Sequence, residues 1–241
     1  AMLRAVSPVL ADINLPAVIG SNMVLQRDMQ VPIWGTTTTP GAEINVSING
    51  QEKTVKAGAD GKWMVKLDPM KAGGPFDMVI QDTDGTTRLE NVMVGEVWIC
   101  SGQSNMQWNV GNSNNAQEEI AAANHPNIRL FQVPLVGTQE PQYDCDGSWN
   151  LCTPETIPGF TAVGYFFGRE LNKELDVPVG LIQTCWGGSS CEAWVRRPLL
   201  EADDTYNDLM ERWEQTEATF DWEKVQANYQ KQLEEWKTKV A

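Results

Sequence analysis

The sequence predicts an α/β protein in three parts: an N-terminal all-β sandwich over residues 12–93, part of a doubly wound parallel sheet over 94–197, and a helical C-terminal segment over 198–241. Three observations predict this. Up to Asn91 the apolar residues come in short, often alternating runs between turn pairs, the period of half-buried strands. From Val94 strand-like and helix-like runs take turns, the pattern of a parallel sheet with crossover helices. After Pro198 no Gly or Pro occurs and the apolar residues recur at helical spacing.

The sandwich begins with two short apolar runs, Met23-Val-Leu-Gln26 and Val31-Pro-Ile-Trp-Gly35, followed by a Thr/Pro/Gly turn at 36–41. Glu43 to Asn49 alternates, with Ile44, Val46 and Ile48 on one face. Asn49-Gly50 is a strong hairpin turn, and Lys53–Lys56 is its return strand. After a turn at Asp60-Gly61, Trp63–Leu67 alternates again. Gly73-Gly-Pro75 breaks the chain before Phe76–Ile80, and Asp84-Gly85 turns it into Thr87–Asn91. No residue in this part has catalytic spacing. Its expected role is scaffold, with carbohydrate contact as the alternative.

Val94-Gly-Glu-Val-Trp-Ile-Cys100 reads as a buried strand that ends in Ser101-Gly-Gln-Ser-Asn105. A serine at the carboxyl end of such a strand stands where open α/β sheets bind their ligands. A helix starting there would place Ser104 at its N-terminus, among free backbone N–H groups able to stabilise an oxyanion. The competing reading is a glycine turn capping a helix, with no nucleophile. Residues 115–124 read as a helix stopped by His125-Pro126, and Ile128–Val133 as a strand. A loop-rich stretch, 136–159, leads to an amphipathic helix over 162–175, with Val163, Phe166, Phe167 and Leu171 on one face. Val179–Thr184 is a third parallel strand, feeding Cys185-Trp-Gly-Gly-Ser-Ser-Cys-Glu-Ala-Trp194. Two consecutive glycines there let the backbone approach a ligand and point an N–H at it, or simply make a tight turn. In the last segment Trp222, Tyr229 and Trp236 repeat every seven residues, with Val225, Leu233 and Val240 near the same stripe. This reads as an amphipathic helix packed on its own domain; a partner-binding helix is the alternative.

Composition excludes some functions. Thirty-two acidic against eighteen basic residues give a net charge of −14, which argues against nucleic acid and anionic membrane surfaces as partners. No apolar run is long enough to span a bilayer. The ten tryptophans are expected mostly in cores and interfaces rather than stacked on sugars. The five cysteines show no zinc spacing, so no metal is expected; Cys145 and Cys152 could pair in an oxidising compartment. Within residues 1–11, Val9-Leu-Ala11 resembles the end of an export signal, so the stretch is read as a signal remnant or an added tail.

Gly95-Glu-Val-Trp-Ile-Cys-Ser-Gly-Gln-Ser-Asn-Met106 resembles the nucleophile block of the sialate O-acetylesterase family, which belongs to the SGNH (GDSL-like) hydrolases. Phe160-Thr-Ala-Val-Gly-Tyr-Phe-Phe-Gly-Arg-Glu-Leu171 is also similar to that family. The resemblance implies a serine esterase that removes O-acetyl groups from sialic acid or other acetylated glycans and needs no cofactor. It implies an N-terminal β-sandwich followed by an SGNH-type sheet, and Ser104 as nucleophile. A glycine of the pair Gly187-Gly188 is implied as one oxyanion donor, with the choice open, and the Ser104 N–H is another. Gln103, Asn105 and Trp186 are the candidate substrate-binding residues. Periplasmic or secreted localisation fits the substrate class.

The sequence departs from the family in one respect. The Asn block near Gln-Gly-Glu and the Asp-x-x-His that supplies acid and base are absent, and the single histidine, His125, sits in a helix stop. Without a base, a serine hydroxyl is a poor nucleophile. Either the chain is the N-terminal portion of a longer esterase, whose missing C-terminal portion is its partner, or it is a degenerate homologue acting as a carbohydrate-binding or interaction module. The first is the expectation, with 198–241 as a helical insertion and the fragment alone inactive.

Overall fold

The structure, a computed structural model, describes residues 13–83, 85–138 and 140–240. The 1–11 tail and the Asp84 position of the expected turn lie outside these residues. The chain divides into two compact units, one ending at Gly188 and one starting at Ser189.

The first unit opens with β1 (Ile13–Asn14), β2 (Val24–Gln26), β3 (Val31–Thr37), β4 (Glu43–Ile48), β5 (Gln51–Lys56), β6 (Lys62–Leu67), β7 (Gly73–Gln81) and β8 (Thr86–Gly102). The order β1-β3-β6 makes a small antiparallel sheet, and β5-β4-β7-β8 begins a larger one. Alternation does what the sequence indicates: Ile33, Val65 and Leu67 from the small sheet share a core with Ile44, Val46, Ile48, Met78 and Ile80 from the large one.

β8 is 17 residues long. Its first half pairs antiparallel with β7, from Thr86 opposite Gln81 to Val94 opposite Gly73. Its second half pairs parallel with β11 (Val179–Cys185), from Glu96 opposite Val179 to Gly102 opposite Cys185. The strand therefore runs unbroken across position 93/94, where the sequence suggests a change of domain. Gly95 sits at the handover. A Cβ there would stand 1.9 Å from the Pro178 carbonyl oxygen, so only glycine lets the two strands meet.

Between β8 and β11 the chain forms α1 (Ser104–Gln107), α2 (Ala116–Ala122), β9 (His125–Gln132), β10 (Trp149–Cys152) and α3 (Ala162–Leu175). The sheet continues β8-β11-β9-β10, with β11 parallel to both its neighbours and β10 antiparallel to β9. One face of these strands packs with α2 and α3, burying Ile128, Leu130, Tyr165 and Leu181. The opposite face, through Phe131, Trp149 and Ile182, joins the core of the N-terminal sheets, so among the described residues that core stands where a second helical layer would.

β10 falls inside the stretch read as loop. All five cysteines are free, which corrects the possible Cys145–Cys152 bridge. Cys152 points into the layer beneath α3, while Cys145 packs against the core on the other face.

The second unit contains α4 (Arg197–Glu201), α5 (Asn207–Thr219) and α6 (Trp222–Val240). The aromatic stripe read as packed on its own domain is instead exposed: Trp222, Tyr229 and Trp236 each show about three-fifths of their surface. Arg197 ties α4 to α5 through Glu217.

Candidate active site

β8 and β11 are parallel neighbours in register, so their carboxyl ends deliver the two candidate loops side by side. The Trp186 N–H extends the ladder by donating to the Gly102 carbonyl at 2.9 Å. One residue further, the Gly187 N–H donates to Gln107 Oε1 at 2.6 Å. A Cβ added to Gly187 would lie 2.5 Å from that oxygen and 3.3 Å from Ser104 Oγ. The Cβ position of Gly187 is crowded, by the tip of the Gln107 side chain and then by Ser104. Gly188 has φ +80° and nothing within 4 Å of its Cβ position, so it is a glycine for conformation. The structure thus brings Ser104 and Gly187 together and leaves Gly188 at the open rim.

Ser104 is exposed at the start of α1, together with Gln103 and Asn105, and Trp186 is 41% exposed. A helix does start at Ser104, as the sequence reading has it, but α1 is a single turn of four residues, so any dipole effect is correspondingly small. The turn is held from both sides. β8 anchors its start. After it, the Trp108 carbonyl accepts from the Ala162 N–H at 2.8 Å, and the Val110 N–H donates to the Phe160 carbonyl at 3.0 Å. Thr161, fully buried, donates its N–H to Gln183 Oε1 at 2.7 Å and caps α3 by accepting from the Gly164 N–H. Gln183 belongs to β11, so the segment following the serine is braced on the strand that carries Gly187. Beneath the site, burial, with a further push from Cys185, raises the Cys100 thiol to about 11.

His125 is at the wrong end. Ile128 of β9 and Glu96 of β8 both align with Val179, so His125 precedes that row while Ser104 lies beyond the strand's far end. The separation is roughly 30 Å at ~3.3 Å per residue. Its Nε2 lies 3.2 Å from the Tyr165 hydroxyl, and burial, with the Arg169 guanidinium, holds its pKa below the usual value. Among the described residues, no imidazole or carboxylate hydrogen-bonds Ser104 Oγ. Sequence reasoning missed Gln107 and the exposed Trp108, which follow the nucleophile motif without a spacing that singles them out.

Residues 94–237 match the family model of carbohydrate esterases described as sialic acid-specific acetylesterases. The match places the chain among the carbohydrate esterase families. Sialate O-acetylesterase of Mus musculus is 40% identical over 219 residues, covering 83% of this chain and 40% of the mouse protein. That of Homo sapiens is 40% identical over 197 residues, covering 73% and 37%. The crystal structure of a carbohydrate acetylesterase from Xanthomonas citri superposes with a TM-score of 0.77 at 40% identity, over 79% of this chain and 44% of that one. The chain belongs to the sialic acid-specific acetylesterase family, and it spans about two-fifths of the length of the curated relatives it matches.

Proposed function

We propose that the full-length protein is a serine carbohydrate esterase that hydrolyses O-acetyl esters of sialic acid or other acetylated glycans. The observation that carries this is the juxtaposition of Ser104 Oγ with the Gly187 backbone at the carboxyl ends of two adjacent parallel strands. Ser104 Oγ attacks the acetyl carbonyl while a base takes its proton. The tetrahedral oxyanion is held by the Gly187 and Ser104 N–H groups, and the sugar oxygen leaves with a proton. Water then releases acetate from the acetyl-serine. Gln103, Asn105 and Trp186 line the approach to the serine.

The base comes, in this reading, from polypeptide outside these residues. Two facts support it. The relatives are more than twice as long as the matched region. From Glu96 to Gly102, β8 pairs with no described strand other than β11, and Ile99 there is 67% exposed. A further strand on that edge would extend the sheet. Export from the cytoplasm belongs to the same proposal. A second reading, a non-catalytic carbohydrate-binding module, is favoured by the absence of a base at Ser104 among the described residues.

Acetate release from O-acetylated sialic acid and from acetylated xylo-oligosaccharides by the full-length protein tests the proposal. Ser104→Ala lowers turnover at least about a thousandfold with an unchanged circular dichroism spectrum. Hydrolysis that survives the change removes Ser104 from its role, and a full-length protein inactive on all acetylated glycans supports the binding module.

A further inference from the structure

Gln107 carries no role in the reaction as described above, yet its side chain holds the donor that the reaction needs. The Gly187 N–H already donates to Gln107 Oε1 at 2.6 Å. That oxygen and Ser104 Oγ flank the same point, at 2.5 Å and 3.3 Å from a Cβ placed on Gly187. A carbonyl under attack by Ser104 must put its oxygen on a donor beside the serine, and the amide oxygen of Gln107 already sits on such a donor. We infer that Gln107 is a built-in plug of the oxyanion site: its amide oxygen stands in for the substrate's carbonyl oxygen and swings out when the acyl group enters. The assignment rests on the reading of Ser104 and Gly187 given above.

The chemistry permits the exchange. Gln107 is half-buried, and only the tip of a flexible side chain meets Gly187. A hydrogen bond between neutral amides has a small net worth, equivalent to about fivefold in an equilibrium constant. A charged acceptor binds an N–H more strongly than a neutral one, so a developing oxyanion, or a carboxylate, displaces the amide. Between visits the plug keeps the donor satisfied and keeps the loop that carries Gly187 beside α1.

A strut and a plug differ in the sign of one measurement. The present chain, labelled with nitrogen-15, is titrated with sodium acetate at constant ionic strength while the Gly187 amide resonance is followed. Acetate, the product anion, is the probe. The plug predicts that Gln107→Ala binds acetate about fivefold more tightly than the parent, because no internal acceptor has to leave. It predicts that Gln107→Glu binds acetate at least fivefold more weakly, because a carboxylate holds the N–H harder and repels the anion. The dispersion of each spectrum shows whether the variant is folded. Equal or weaker binding by Gln107→Ala, or a Gly187 resonance that acetate does not move in any variant, overturns the assignment and leaves Gln107 as a strut. No turnover enters this measurement, so it separates from the Ser104 test: an inactive full-length protein defeats the esterase reading, whereas tighter acetate binding by Gln107→Ala stands on its own.

Discussion

Gly187 and Gly188 are adjacent and identical in type but differ in setting, a Cβ position crowded by the tip of Gln107 in one case and a positive φ in the other. The sequence presents them as an undivided pair, because a dipeptide does not show which member faces the serine. The position of Ser104 at the end of a strand was legible because its block is local, a strand running into Gly-Gln-Ser. Gln107 was not, because its contact is with a residue 80 positions away. The cysteines were legible only as a count; their environments come from the fold. Burial raises Cys100 to about 11 and Cys152 to about 12, while Cys191 is exposed. A raised pKa keeps a thiol protonated and unreactive, so at pH 8 only about one Cys100 in a thousand is thiolate. A disulfide reagent at pH 8 should therefore modify Cys191 promptly and reach Cys100 and Cys152 only in denaturant. Prompt modification of either buried thiol in native protein contradicts that placement.

At the scale of the element, β8 decides how the site is built. Its alternation is visible to Asn91 and is then replaced by four consecutive buried residues, Val92 to Gly95. Over those four residues the strand is covered on both faces, and in sequence the shift looks like a boundary; at Trp98 and Ile99 exposure returns. Asn91, at φ +58°, adds to the appearance of a turn. The helix over 162–175 buries Ala162, Gly164, Tyr165 and Gly168, whereas Val163 and Phe167 of the stripe read from the sequence are exposed; its bounds, however, were legible. β10 was not, because four residues among glycines and prolines carry too little pattern; its pairing with β9 supplies the order. The handover on β8 gives a direct prediction. Gly95→Ala places a methyl group on the Pro178 carbonyl and should cost about 3 kcal/mol or more, measured by urea unfolding. A loss below about 1 kcal/mol would show that the strands part easily there.

For the whole molecule, the three-part order was legible, but not how the first two parts are joined. The Trp149 indole N–H donates to the Val18 carbonyl at 2.8 Å, and Phe131 and Trp149 share a core with the N-terminal sheets. These contacts span more than a hundred residues, and no local pattern announces them. Residues up to Gly188 should therefore unfold in one thermal transition, with tryptophan fluorescence and far-ultraviolet circular dichroism changing together. An isolated 1–93 fragment, deprived of Phe131 and Trp149, should melt at a lower temperature than the intact chain. Two separate transitions would show that the halves are independent.

The unbroken course of β8 makes the junction a rigid tie rather than a tether. A flexible linker would let the sandwich wander, and would set the meeting of its surface with Ser104 by chain length and effective concentration. A strand paired along its length has no such slack. From Val94 to Gly102 it fixes an offset of roughly 26 Å at ~3.3 Å per residue. Whatever the sandwich surface holds therefore meets the serine at a set distance and orientation, and changing either requires hydrogen bonds of the ladder to break.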